Sequence, residues 1–185
     1  MKRRQLVWRG LEEWLAEECT VSLEEDRLRA RGVQLGAEPY PYRVDYELVT
    51  GVGWVTERLV ASAADADGTR TLELLRSADG AWTANGEPLP ELDGALDCDL
   101  AFSPLTNYMP ARRLEAEPVD HLMAFVEVPP LEVRPSRQRY EPIDERRVRY
   151  VSLDSDFVAE LELDEDGLVA RYPRLAELVP SGARA

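Results

Sequence analysis

Apolar and polar residues alternate with a period of two over much of the chain. Residues 42–48, with the sequence YRVDYEL, place four apolar side chains on one side and three charged side chains on the other. Residues 27–31 and 157–163 show the same alternation. Such a pattern is typical of β-strands that have one buried face and one solvated face. The sequence therefore predicts antiparallel strands.

Short turn signals separate the predicted strands. Asp-Gly or Asn-Gly pairs occur at residues 67–68, 79–80, 85–86 and 166–167, and such pairs favour tight connections between neighbouring strands. About eleven or twelve strand candidates can be counted, more than one flat sheet usually carries without curling. We therefore predict a mainly β fold over residues 1–185, a single domain in which a large curved antiparallel sheet forms an open or half barrel.

Helix signals are few. Three short stretches predict helices, at residues 11–18, 103–109 and 173–179. In the second stretch, Ser103 is the predicted N-cap and Pro104 the first helical residue. The fold prediction therefore includes two or three short helices.

The charge balance narrows the classes of partner. The protein is acidic, with 22 Lys and Arg against 36 Asp and Glu and a formal net charge of −14. Such a charge repels nucleic acids, so we expect no nucleic-acid partner. No apolar run approaches the roughly 20 residues that span a bilayer, so we expect no stable membrane insertion. Because charged residues interrupt the N-terminal stretch early, we expect no secretory signal and a cytoplasmic location.

Catalytic and metal-binding signatures are scarce. His121 is the only histidine, so a site with two histidine ligands is excluded. The sequence contains no G-x-S-x-G elbow, no glycine-rich phosphate loop and no C-x-x-C pair. We therefore expect no metal and no cofactor, and we assign no catalytic residue.

Residues 92–114 hold the densest set of polar groups. Asp97 and Asp99 share one face of a predicted strand. The opposite face, which we predict to be the buried one, carries Leu96, Cys98, Leu100 and Phe102. The predicted polar head-group site consists of Asp97, Asp99, Thr106, Asn107, Arg112 and Arg113. The same residues also fit a network of Asp-Arg ion pairs that anchors a short helix to the sheet.

Aromatic residues form a second candidate feature. Rings in or beside predicted strands that would line an apolar cavity are Trp8, Tyr42, Tyr46, Trp54 and Trp82. A cavity of this kind suits an amphiphilic ligand. The alternative is that these rings fill the interior of a β protein.

The polar run from residue 92 to residue 114 also resembles the signature of a known family. The matching residues are Leu92-Asp93-Gly94, Leu96-Asp97, Asp99, Ser103-Pro104-Leu105-Thr106-Asn107, Pro110 and Arg112-Arg113-Leu114. Segments 8–10, 80–82, 138–140, 164–169 and 172–173 fit the same pattern in the same order. The sequence is thus similar to the putative glycolipid-binding family, formerly a domain of unknown function, although it departs from the pattern at Ala95, Met109 and Ala111.

The resemblance implies a half barrel related in shape to bacterial lipoprotein carriers, with a hydrophobic concavity and no established catalysis. The predicted function is therefore non-catalytic binding of an amphiphilic small molecule, a lipid or glycolipid, in the concave face. Two alternatives stay open. One is a small enzyme that uses Asp97 and Asp99 as acid and base on a sugar-like substrate, and the other is a structural or interaction module with a filled core.

Overall fold

The structure, a computed structural model, describes residues 1–180. Its strands are β1 Lys2–Gly10, β2 Leu15–Leu23, β3 Leu28–Gly36, β4 Tyr42–Thr50, β5 Thr56–Asp65, β6 Gly68–Arg76, β7 Trp82–Ala84, β8 Glu87–Pro88, β9 Asp97–Leu100, β10 Val119–Val126, β11 Val133–Asp144, β12 Arg147–Ser152, β13 Val158–Leu163, β14 Val169–Tyr172 and β15 Ala176–Leu178. One α-helix, α1, spans Tyr108–Arg113, and three 3-10 turns span Val52–Trp54, Pro90–Leu92 and Pro104–Asn107.

All fifteen strands belong to one sheet. Its order is β8-β7-β6-β5-β4-β3-β2-β1-β15-β14-β13-β12-β11-β10-β9, and every neighbouring pair is antiparallel except β9 with β10. Because β1 pairs with β15, the two halves of the chain join in the middle of the sheet. The edges β8 and β9 do not pair with each other, so the sheet stays open. The predicted open, curved antiparallel sheet is confirmed.

The predicted alternation and turns are also confirmed. Strand β4 buries every second side chain along its length, and all four Gly-containing pairs lie at turns between strands. Asn85 and Gly86 both have positive φ, 50° and 87°, the requirement of the tight turn that joins β7 to β8. The structure has more strands than were counted because several, such as β8 and β15, are too short to show a period of two.

Two of the three predicted helices are wrong. Residues 15–18 begin β2, and Ala176–Leu178 forms β15. The local sequence of each stretch favours a helix, but both pair with neighbouring strands along the sheet, and these tertiary contacts outweigh local propensity. The helix predicted at 103–109 is confirmed, as a 3-10 turn followed directly by α1.

The chain segment 89–113, here called the inner segment, runs across the concave face of the sheet. Its apolar side chains share one buried cluster, the first core, with those of β1–β6. Side chains from four strands also form hydrogen bonds with the inner segment. Trp82 Nε1 and Gln34 Nε2 donate to its carbonyl oxygens at Ala95 and Ala101. In the other direction, the Cys98 N–H donates to Thr56 Oγ1 and the Ser103 hydroxyl donates to the Glu17 carboxylate. The inner segment therefore fills much of the concavity that the sheet provides.

Strand β9 lies within this segment and corrects one prediction. Leu96, placed on the buried face from sequence, is 36% exposed, whereas Asp97 is fully buried. The reason is that β9 has protein on both sides, so alternation no longer separates a buried face from a solvated face.

Within the described range 1–180, no helix combines the length and the apolar character needed to cross a membrane.

A smaller, second core lies under the C-terminal strands β11–β14. It is rich in tyrosine, and Tyr140, Tyr150 and Tyr172 are all buried there. The rings meet edge to face or tilted, with centroids 5.5 Å apart for Tyr140 and Tyr150 and 6.0 Å for Tyr150 and Tyr172. Such geometry is the favoured one for aromatic pairs.

Candidate functional site

A cavity of about 490 Å³ opens between the two cores, beyond the point where β9 ends. Its walls come from the β1–β2 and β3–β4 connections on one side and from β10–β12 and the β12–β13 and β14–β15 connections on the other. Residues 99–103 of the inner segment also line it. The volume lies within the range of small-molecule sites.

The cavity walls combine aromatic and polar groups. Trp14, Phe125 and Phe157 supply apolar surface, and Tyr42 and Tyr150 add rings that carry hydroxyl groups. This mixture can bury an apolar chain and at the same time hydrogen-bond a polar group.

Two glycines of β3 position the tyrosine rings of β4. A Cβ atom at Gly36 would lie 2.3 Å from Cζ of Tyr42, and one at Gly32 would lie 2.5 Å from Cζ of Tyr46. Because no side chain other than hydrogen fits beneath these rings, each glycine lets a tyrosine lie across the neighbouring strand. Tyr42 thereby lines the cavity, and Tyr46 reaches a buried glutamate, Glu17.

Asp99 is the carboxylate that the inner segment presents to the cavity. Its Oδ1 accepts a hydrogen bond from Thr106 Oγ1 at 2.8 Å, and its Oδ2 accepts one from Gln138 Nε2 at 2.6 Å. Both donors are uncharged, and burial raises the pKa of this carboxyl group. The side chain is half-buried, so it remains accessible from the cavity.

Glu17 lies behind the cavity wall, fully buried. Its carboxylate accepts hydrogen bonds from Tyr46 OH at 2.5 Å, from Ser103 Oγ at 2.8 Å and from Gln34 Nε2 at 3.4 Å. Burial raises its pKa to about 7, against the opposing effect of these three uncharged donors. Ser103 was predicted as an N-cap, but its hydroxyl group does not cap the helix and bonds Glu17 instead.

Hydrogen bonds connect the Glu17 and Asp99 regions. Asn107 Nδ2 donates to the carbonyl of Ser103 at 3.4 Å, and Tyr140 OH donates to Asn107 Oδ1 at 2.8 Å. Tyr140 OH also lies 3.3 Å from Oε1 of Gln138, the residue that holds Asp99. The polar floor of the cavity is therefore a continuous network, and such networks fix side-chain positions.

Asp97 has a different environment from Asp99, two residues away. It is fully buried and paired with Arg113, which also donates from Nη1 to Gly53 O at 3.3 Å. Burial raises the Asp97 pKa to about 6, although the Arg113 guanidinium opposes the shift. Asp97 does not line the cavity, so the two aspartates are not brought together there.

Trp54 and Arg112 do not line the cavity; Arg112 belongs to α1, and Trp54 lies in the β4–β5 connection. The guanidinium carbon of Arg112 is 4.9 Å from the centroid of the Trp54 ring, a cation–π contact. With the bond from Arg113 to Gly53, this contact attaches α1 to the β4–β5 connection. Of the Asp-Arg ion pairs considered from sequence, the pair of Asp97 and Arg113 is present, whereas Arg112 contacts the Trp54 ring.

Three predicted aromatic site residues lie in the first core. Trp8 and Trp82 are each 1% exposed, and their indole groups donate to the carbonyls of Val169 and Ala95. Tyr46 is 5% exposed and donates to Glu17.

Of the eleven residues predicted from sequence, the structure places Tyr42, Asp99 and Asn107 in the lining of the cavity. Thr106 does not line it but donates a hydrogen bond to Asp99.

Sequence reasoning missed Glu17, Gln138 and Trp14. A signal for Glu17 exists in the sequence. Glu17 is followed at every second position by an apolar residue, Cys19, Val21 and Leu23, and the structure buries all four on the same face of β2. The helix predicted at 11–18 concealed that pattern.

In residues 1–180, no group of three His, Cys, Asp or Glu side chains is placed to hold a metal ion.

Two comparisons with known proteins found matches. The family described as putative glycolipid-binding matches residues 5–177. A crystal structure of a DUF1089 family protein from Pseudomonas aeruginosa is 33% identical, with a TM-score of 0.76 over 92% of this chain and 94% of that chain. No curated protein matches. The match over nearly the whole sequence shows that the chain belongs to the putative glycolipid-binding family.

Proposed function

We propose that the protein binds an amphiphilic small molecule, a lipid or glycolipid, in the 490 Å³ cavity between the two cores. The observation that carries the proposal is the composition of this cavity, whose walls are aromatic and whose floor is a hydrogen-bonded polar network. Family membership supports a ligand of the glycolipid type.

The polar part of the ligand belongs at the floor in this proposal. Asp99 and Asn107 reach the cavity there, and hydroxyl groups of a sugar can donate to carboxylate and amide oxygens. The apolar chain belongs against Trp14, Phe125 and Phe157. Burial of about eight methylene groups contributes roughly 6 kcal/mol before association costs, so both the apolar chain and the polar contacts at the floor are needed for measurable affinity.

The cytoplasm is the compartment we propose, because Cys19 and Cys98 are both free and buried, the usual state of cysteines under reducing conditions. Cell fractionation tests this part. The hypothesis that Asp97 and Asp99 act as acid and base lacks comparable support, since Asp97 is paired with Arg113 and, of these two aspartates, only Asp99 lines the cavity.

Calorimetric titration with octyl glucoside, below the concentration at which it forms micelles, tests the function. The variant Ala37→Trp places a large ring in the cavity wall, and Ala116→Trp places the same ring at an exposed position outside it. We expect the first to weaken binding at least about tenfold and the second to leave it unchanged. No binding to the unmodified protein, or equal binding to both variants, would refute the proposal.

A further inference from the structure

The carboxylate at the cavity floor has room for more donors. Each oxygen of Asp99 accepts one described hydrogen bond, from Thr106 or from Gln138. An ionised carboxylate offers about four acceptor sites, so about two remain on a side chain that lines the cavity. A ligand that donates there completes the coordination of Asp99.

The described partners of Asp99 carry no positive charge, which distinguishes it from Asp97 with its Arg113. A carboxylate removed from water without a cation loses more hydration energy than two neutral hydrogen bonds restore. A cationic donor compensates this loss better than a hydroxyl group because charge-assisted hydrogen bonds are roughly twice as strong.

The aromatic walls already accommodate cations. The Arg174 guanidinium carbon lies 5.1 Å from the centroid of the Phe157 ring, and that of Arg134 lies 4.6 Å from the Phe125 ring. Both arginines are exposed, while Tyr150 and Tyr172, which also line the cavity, are at most 8% exposed and contact no described guanidinium. Aromatic rings in a site attract an ammonium group through cation–π interactions.

The charge of the lining favours the same class of ligand. Five carboxylates line the cavity, those of Glu12, Glu13, Glu38, Asp99 and Asp154, against the two guanidinium groups of Arg134 and Arg174. Arg174 is itself 3.7 Å from a carboxylate oxygen of Glu12. The field in the cavity is therefore negative, and it attracts cations.

Resting on the proposed function, we infer that the cavity selects an amphiphile with a protonated amine, whose ammonium group binds Asp99 while its chain lies against the aromatic walls. A neutral sugar head binds the same cavity more weakly, and a carboxylate head binds more weakly still.

Three ligands with alkyl tails of seven or eight carbon atoms test this order at neutral pH and moderate salt: octylamine, octyl glucoside and octanoate. We expect octylamine to bind at least about tenfold more tightly than octanoate, with octyl glucoside between them. If octyl glucoside binds and octylamine binds no more tightly, the inference fails while the proposed function stands. If none of the three binds, the proposed function fails.

The variant Asp99→Asn assigns the selectivity to one side chain, with Asp97→Asn as the matched control on the same strand. We expect Asp99→Asn to remove the preference for octylamine over octyl glucoside and Asp97→Asn to keep it. A preference that survives in folded Asp99→Asn would overturn the assignment. Should that variant not fold, the side-chain amide NMR signals of Gln138 decide, since Gln138 donates to Asp99: they shift with octylamine, and unchanged signals at saturation contradict the inference.

Discussion

The two cores of this protein differ in what covers the inner face of the sheet. Over β1–β6 the inner segment supplies Leu92, Leu100, Leu105 and other side chains that are at most 1% exposed. Beside the tyrosine-rich second core the covering ends, and the 490 Å³ cavity begins. A curved sheet provides a concave face, but the segment that returns across it determines how much of that face stays open.

The two aspartates of β9 show the same difference at the scale of single residues. Asp97 lies where the inner segment is enclosed, and Arg113 neutralises it. Asp99 lies where the cavity starts, and uncharged groups hold it. Of these two aspartates, the enclosed one is thus paired with a cation inside the protein, whereas the one at the cavity has only uncharged partners.

Arg113→Ala breaks the enclosed side of this comparison most strongly. It leaves Asp97 buried without a cation, so we expect the free energy of unfolding to fall by about 4 kcal/mol, measured by urea denaturation. As a control, Arg31→Ala removes an ion pair with Glu47 in which the arginine side chain is 78% exposed, and it should cost less than about 1 kcal/mol. Equal losses in the two variants would contradict the account of Asp97.

Leu105→Ala tests whether the first core is filled. Leu105 is completely buried, and a truncation of this kind costs about 3 kcal/mol through lost burial and the cavity left behind. The matched variant on the cavity side is Trp14→Ala, at a residue that is 64% exposed, with an expected change below about 0.5 kcal/mol. Denaturation curves that give similar losses would mean that the inner segment does not fill the concavity.

The pH dependence of stability sharpens the comparison further. The Glu17 pKa rises from 4.5 to about 7 on folding, so the folded state holds its proton more tightly than the unfolded state. The Glu17 contribution to stability is therefore fully present below pH 4.5, is lost as the pH rises to about 7 and then levels off, with a total of about 3 kcal/mol.

Glu17→Gln removes this contribution. The difference in unfolding free energy between the unmodified protein and the variant should change by about that amount between pH 4.5 and pH 7, in favour of the variant at higher pH. Glu18→Gln, at the next residue and hence on the opposite face of β2, is the control for the substitution itself. A profile that Glu17→Gln leaves unchanged would show that Glu17 is not buried as described.

Most of the sheet could be predicted from the sequence because alternation and Gly-containing turns are local signals. Residues 42–48 show this directly. The helix at 11–18 failed because the stretch carries helix-forming residues, while its strand signal depends on Cys19, Val21 and Leu23 further along the chain. Pairing with β1 and β3 decides between the two.

The candidate site was less predictable, since filling is a tertiary property. Trp8, Trp82 and Tyr42 all lie on strands, yet the first two are in the core and the third lines the cavity. Nothing local separates them, because the inner segment that covers Trp82 lies elsewhere in the sequence. The environments of Asp97 and Asp99 likewise depend on residues far along the chain, because Arg113 pairs with Asp97 and Gln138 donates to Asp99.

The four tryptophans allow the most direct test that the ligand occupies the cavity and not the filled concavity. The indole N–H signals of the isotopically labelled protein are recorded by NMR during titration with octyl glucoside. Because only Trp14 lines the cavity, its signal should shift, while those of Trp8, Trp54 and Trp82 stay in place. Shifts of Trp8 or Trp82 with an unmoved Trp14 signal would contradict the account.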